Sequence, residues 1–149
     1  MDIRVFLAHA VKLEREAEEA YRELARLMKD RANVDAAAFF GEMAGFCRLH
    51  GEAAMTHAGF GAMADIPDGI VSWSGGASEI PDTGAAVNAL DLDGAELLAL
   101  AAERRGADFY AEVARTTTDP QTRILAAEFA AEERGHVLAL ERFLGLKSY

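Results

Sequence analysis

The sequence predicts an all-α protein, a four-helix bundle with a long crossover between its second and third helices, and three observations predict it. Apolar residues recur at three- and four-residue steps along four separate stretches, the spacing that gives a helix one buried stripe. Each stretch is bounded by residues that start or stop helices. Between the second and third stretches lies a segment rich in glycine that keeps no helical period. Composition agrees: 51% of the 149 residues are hydrophobic and only 3 are proline. That length suits one domain with a real core, expected here to run over residues 1–149.

The first helix is expected over residues 2–30, where Val5, Phe6, Ala10, Leu13, Ala17, Ala20, Leu24, Leu27 and Met28 hold the period. A polar break, Asp30-Arg31-Ala32-Asn33, leads into a second helix over 34–58, with Asn33 or Asp35 as N-cap and Gly59 as the stop. So short a link makes the two helices antiparallel neighbours. Residues 59–92 hold two of the three prolines and read as the connection, with Trp73 packed on the bundle. Asp93, with Glu96 three positions on, forms a capping box for a third helix over 93–117. Asp119 and Pro120 then open a fourth over 120–144, aspartate as N-cap and proline at the first helical position. Helices of about 24 residues span roughly 36 Å, a distance the long link can cover, so the second and third helices are expected to run in the same direction.

The two hairpins look alike. Glu14, Ala17 and Tyr21 line up with Glu103, Gly106 and Tyr110, and Cys47 and His50 line up with Glu133 and His136. Such matched spacing suggests an internal duplication.

Bulk properties exclude several functions. A formal net charge of −10 argues against nucleic acid or an anionic membrane surface as partner, since both need a basic footprint. The single cysteine, Cys47, excludes an internal disulfide framework and any four-cysteine metal module. The N-terminal stretch turns charged before it reaches signal-peptide length, and nothing later is apolar for the roughly 18 residues a membrane span needs. The cytoplasm is the expected location.

Chemistry concentrates on a few positions. Glu133 and His136 lie three residues apart, hence on one helix face within reach of one metal ion. Phe129, Ala130, Val137 and Leu140 flank them, so that face points at least partly inward. A buried carboxylate without a partner costs several kcal/mol, and a metal ion is one of the few groups that offsets this. The plainer reading is a surface Glu–His pair. For Cys47 it is a small buried hydrophobe, and for Glu16, Glu18, Glu19 and Glu23 a solvated helix face. His57, two turns beyond His50, stays outside the core set.

In its motifs the chain resembles the ferritin-like superfamily, and within it the rubrerythrin-type diiron proteins. That family takes one glutamate from each of two helices and Glu-x-x-His from each of the other two. Glu14-x-x-Ala17-x-x-x-Tyr21 resembles the first-helix motif, Glu103-x-x-Gly106 the third and Glu133-x-x-His136 the fourth. The second helix departs, because Met43-Ala44-x-x-Cys47-x-x-His50 has cysteine where the family has glutamate. The resemblance implies a metal set of Glu14, His50, Glu103, Glu133 and His136, with Cys47 as a further candidate and Tyr21 and Tyr110 beside it. No catalytic residue is expected apart from the ligands.

It also implies two nonheme irons reacting with dioxygen or peroxide, as a peroxidase or a ferroxidase. His50 and His136 would each ligate one iron, Glu14 and Glu103 would be terminal or shifting carboxylates, and Glu133 would bridge. With no rubredoxin-like segment, a peroxidase would need an external electron donor, while a ferroxidase would take electrons from ferrous iron itself. A thiolate at Cys47 is softer than a carboxylate and readily oxidised, so one metal, a mixed pair, or zinc or manganese stay open. The rival reading is a ferritin-like scaffold whose diiron site is degenerate, acting in metal binding or interaction without enzymatic activity. A homodimer is expected in either case.

Overall fold

The computed structural model describes residues 2–61, 92–143 and 145, and the side chains of residues 92–96 and 98 are not among what it describes. Four helices make up the described fold: α1 Ile3–Asp30, α2 Val34–Ala58, α3 Leu92–Thr116 and α4 Pro120–Phe143. No strand occurs among the described residues. The crossover and Trp73 fall on residues 62–91, outside that set.

Local chemistry fixes the helix ends. Asp2 accepts from the Val5 N–H at 3.0 Å and opens α1, and Asn33, not Asp35, accepts from the Ala36 N–H at 3.0 Å and opens α2. Gly59 stops α2 in the left-handed region at φ 72°, its N–H turned back on the last carbonyls. The end of α1 uses the same device without glycine: Ala32 takes φ 58°, and the Asn33 N–H reaches the Met28 carbonyl at 2.9 Å. Asp119 caps α4, accepting from the Thr122 N–H at 2.9 Å and from its hydroxyl at 2.6 Å. The capping box expected at Asp93 is corrected, because α3 already begins at Leu92 and places Asp93 inside the first turn.

Packing sets the directions. The turn between α1 and α2 makes them antiparallel, as does the turn between α3 and α4. Across the hairpins, Phe6 near the start of α1 packs on Tyr110 late in α3, rings 5.9 Å apart. Phe39 early in α2 stacks on Phe143 at the end of α4 at 4.3 Å. Helices α1 and α3 are therefore antiparallel, and α2 and α3 run in the same direction.

Two apolar clusters fill the interior. One gathers Tyr21, Leu24, Met28, Phe40, Met43, Leu100 and Leu140 toward one end of the bundle. The other gathers Phe6, Val11, Leu13, Tyr110, Ala126 and Phe129 toward the opposite end. Every helix passes from one cluster to the other, and each carries a polar residue at the passage: Glu14 in α1, His50 in α2, Glu103 in α3, Glu133 and His136 in α4. The polar residues thus form a layer between two dry ones.

Elsewhere most charge stays outside, apart from Glu141, which is buried and paired with Arg104 at 3.4 Å. Arg22 pairs with Glu18 at 2.6 Å and Arg48 with Glu52 at 2.9 Å, both between neighbouring helix turns, and Arg26 pairs with Glu23. Such exposed pairs add little stability. Glu16, Glu18 and Glu23 depart from the solvated face expected for them, each being half-buried while Glu19 is exposed, and burial, opposed by Lys12, raises the Glu16 pKa.

Candidate metal centre

The polar layer brings all five expected ligand residues together. Glu14, Glu103 and Glu133 are 3%, 1% and 1% exposed, and His136 is 8% exposed. His50, Glu133 and His136 converge most tightly, each offering a ligand atom within 4.8 Å of the others. The His136 Nδ1 stands 3.6 Å from both the Glu103 and the Glu133 Oε2. The His50 Nδ1 lies 3.8 Å from the Glu14 Oε1. The two imidazoles are nearly parallel, 5.1 Å apart between centroids at 8°.

What these atoms lack points to a cation. Glu14 Oε2, Glu103 Oε2, Glu133 Oε2 and His136 Nδ1 are all buried with no hydrogen-bond partner. Buried polar atoms in native proteins are almost always satisfied, and an isolated buried carboxylate is costly. Four such atoms in one layer, three of them carboxylate oxygens, fit a positive ion that would complete them all. The donor set of imidazole nitrogen and carboxylate oxygen suits first-row divalent metals.

The local electrostatics carry the same signature. Burial, then repulsion from Glu133, pushes the Glu103 carboxyl up to about 8 despite His136 nearby. Burial alone would lower His136, but the carboxylates of Glu103 and Glu133 against its Nδ1 raise it to about 10. For His50, burial lowers and Glu14, with Glu132, raises, and the net shift is upward. Protons thus occupy the layer in the positions a metal would take.

The surroundings hold the ligands in place. The Tyr21 hydroxyl, from the first-helix motif, donates to Glu103 Oε1 and leaves Oε2 turned toward His136. Tyr110, its counterpart in the repeat, sits with its ring edge-on to Phe6 and Phe129. Gly51 lies beside Glu14, where a Cβ would make an ordinary contact of 3.5 Å with the Glu14 Cβ. Cys47 is 2% exposed and packs in the apolar cluster with Tyr21 and Phe40. It also borders a surface pocket with Arg15, Arg48 and Gly51, and it is not part of the tight cluster of His50, Glu133 and His136. His57 is exposed at a separate pocket with Ile3 and Leu125.

Two residues beside the site were not legible in the sequence. Phe46, one turn before His50, stacks on the His136 ring at 5.5 Å, and Glu132 reaches the His50 Nε2 at 3.2 Å. Phe46 carried a faint signal as an aromatic four residues from a candidate ligand. Glu132 carried none, being one acid among many on α4.

An antiparallel bundle with a carboxylate and histidine layer in its core defines the ferritin-like class. Residues 6–144 match the sequence model of rubrerythrin. A crystal structure of an uncharacterized conserved protein from Magnetospirillum magnetotacticum MS-1 is similar at 33% identity and a TM-score of 0.78, over 97% of this chain and 95% of that one. No curated protein matches. The chain belongs to the rubrerythrin family. No helix among the described residues is long and apolar enough to cross a membrane.

Proposed function

We propose that the chain holds two nonheme irons in the polar layer and acts as an oxidoreductase toward dioxygen or peroxide. The observation that carries the proposal is the group of four buried, unsatisfied ligand atoms on Glu14, Glu103, Glu133 and His136. Membership of the rubrerythrin family, with its implied iron binding, supports it.

Glu14 and His50 would hold one ion and Glu103 and His136 the other, with Glu133 between them. Bound iron would supply the redox equivalents and the Lewis acidity. The chain's residues set the conditions: three carboxylates neutralise the cations, and Tyr21 fixes Glu103 through Oε1. The apolar clusters above and below keep the layer dry, which strengthens every charge interaction inside it. Phe46 covers the His136 ring and limits its rotation. Electrons would come from an external donor in a peroxidase, or from ferrous iron in a ferroxidase. Location in the cytoplasm and a homodimeric assembly belong to the same proposal.

Anaerobic loading with ferrous iron, followed by addition of peroxide or air-saturated buffer, tests the reading. Stoichiometric oxidation of bound iron, abolished in His136→Ala, is the expected result. Iron that stays reduced at the background rate would contradict it and favour a binding scaffold.

A further inference from the structure

We infer that Glu132 is a positioning residue for His50, holding its imidazole in the tautomer that leaves Nδ1 open toward the buried layer. The inference rests on the metal-binding reading above and assigns a role to a residue that the family pattern of ligands does not contain.

His50 faces a different group with each ring nitrogen. Nδ1 points to the buried Glu14 at 3.8 Å, whereas Nε2 points to Glu132 at 3.2 Å. The Glu132 side chain is 46% exposed and that of His50 19%, so this contact sits at the solvent edge of the layer. A neutral imidazole carries one proton, and only the nitrogen without it can bind a cation. An ionised carboxylate is an acceptor only, so Glu132 within hydrogen-bond reach of Nε2 favours the proton there. Glu14 competes for that proton from the buried side but at the longer distance of 3.8 Å, so the 3.2 Å contact at Nε2 tips the balance outward and leaves the Nδ1 lone pair toward the layer. Carboxylates commonly fix metal-binding histidines in this way.

Glu132 is not itself an inner ligand: its side chain is 46% exposed and meets His50 at the outer nitrogen, Nε2. It acts through the imidazole and adds a negative charge beside the hairpin in which Cys47 stands in place of a carboxylate.

Two measurements on Glu132→Ala and Glu132→Gln test this, with Glu128→Ala as control on an exposed position of the same helix. In the metal-free protein, at a pH where the ring is neutral, the histidine ring nitrogen shifts report the tautomer. The wild type is expected to show His50 protonated at Nε2. Glu132→Ala should shift the ring toward a mixture, and Glu132→Gln, whose amide oxygen can still accept, should restore it. In parallel, ferrous iron affinity under anaerobic conditions should fall about 10- to 100-fold in Glu132→Ala, less in Glu132→Gln, and not in Glu128→Ala. Wild-type binding with unchanged tautomer and affinity in Glu132→Ala would overturn the inference and leave the proposed function standing. A wild type that binds no iron would overturn the proposed function, and the inference with it.

Discussion

The two hairpins place their polar residues at matching positions, yet the layer they build is lopsided. In the second, Glu103, Glu133 and His136 lie within one tight group, and two carboxylates press on a single imidazole nitrogen. In the first, Glu14 faces His50 at 3.8 Å, and the position that matches Glu133 holds Cys47, buried among apolar side chains. The closing turns differ as well: Asp119 caps the second hairpin's turn, while the first places Ala32 in the left-handed region. Two hairpins with matched helices can thus differ in their chemistry. The second hairpin carries the stronger demand for a cation, and the first depends on outside help from Glu132.

The largest expected effect comes from breaking the stronger half. Glu133→Gln should weaken iron binding by about two orders of magnitude or more, since it removes a charge shared with His136. It should also destabilise the metal-free protein, because it breaks the buried ion pair with His136 at 3.6 Å. Iron titration and thermal unfolding of the same preparation check both signs.

Restoring symmetry is the next test. Cys47→Glu places a fourth carboxylate beside the layer and should raise iron retention by about tenfold, comparable to the strength of one charge-assisted contact. Without metal the variant should unfold at a lower temperature than wild type, as a carboxylate in an apolar cluster is costly. Metal analysis after gel filtration, with and without prior iron loading, separates the two effects.

A pH series sharpens the same contrast. Glu103 is lifted from 4.5 to about 8 and His136 from 6.5 to about 10. Both folded-state values are raised, so the stability they contribute to the metal-free protein is full below the unfolded values. It is lost as pH rises through about 8 for Glu103 and about 10 for His136. Melting temperatures of the metal-free protein should therefore fall as pH rises across that window, apart from other groups. Metal affinity should change in the opposite direction, because the ion must displace those protons. His136→Ala should flatten both trends more than His50→Ala.

The smallest effect lies in the turn. Ala32→Gly relieves a left-handed alanine, φ 58°, and should stabilise the protein by about 1 kcal/mol less the entropy glycine adds to the unfolded chain. Iron binding should not change, and chemical denaturation measures the gain.

Much of the fold was legible because its signals are local. Asn33, Gly59, Asp119 and Pro120 mark helix ends in the sequence by chemistry that needs no tertiary partner. At Asp93 the same logic placed the helix start two residues late, since the helix already begins at Leu92: helix ends are set by the whole first turn and not by one cap. In the polar layer, Glu133 and His136 were legible through their three-residue spacing among apolar neighbours, whereas Glu14, His50 and Glu103 were reached only through the resemblance to the rubrerythrin-type pattern. Glu132 was not, because only the approach of α4 to α2 distinguishes it from the solvated acids around it. The half-burial of Glu16 was likewise invisible in a run of glutamates.

The most direct test of the account is metal stoichiometry after anaerobic loading with ferrous iron and removal of the excess. Two irons per chain in the wild type, reduced to one or fewer in His136→Ala, are predicted. A wild type that retains less than one metal ion per chain would contradict the claim that the buried carboxylate and histidine layer exists to hold cations.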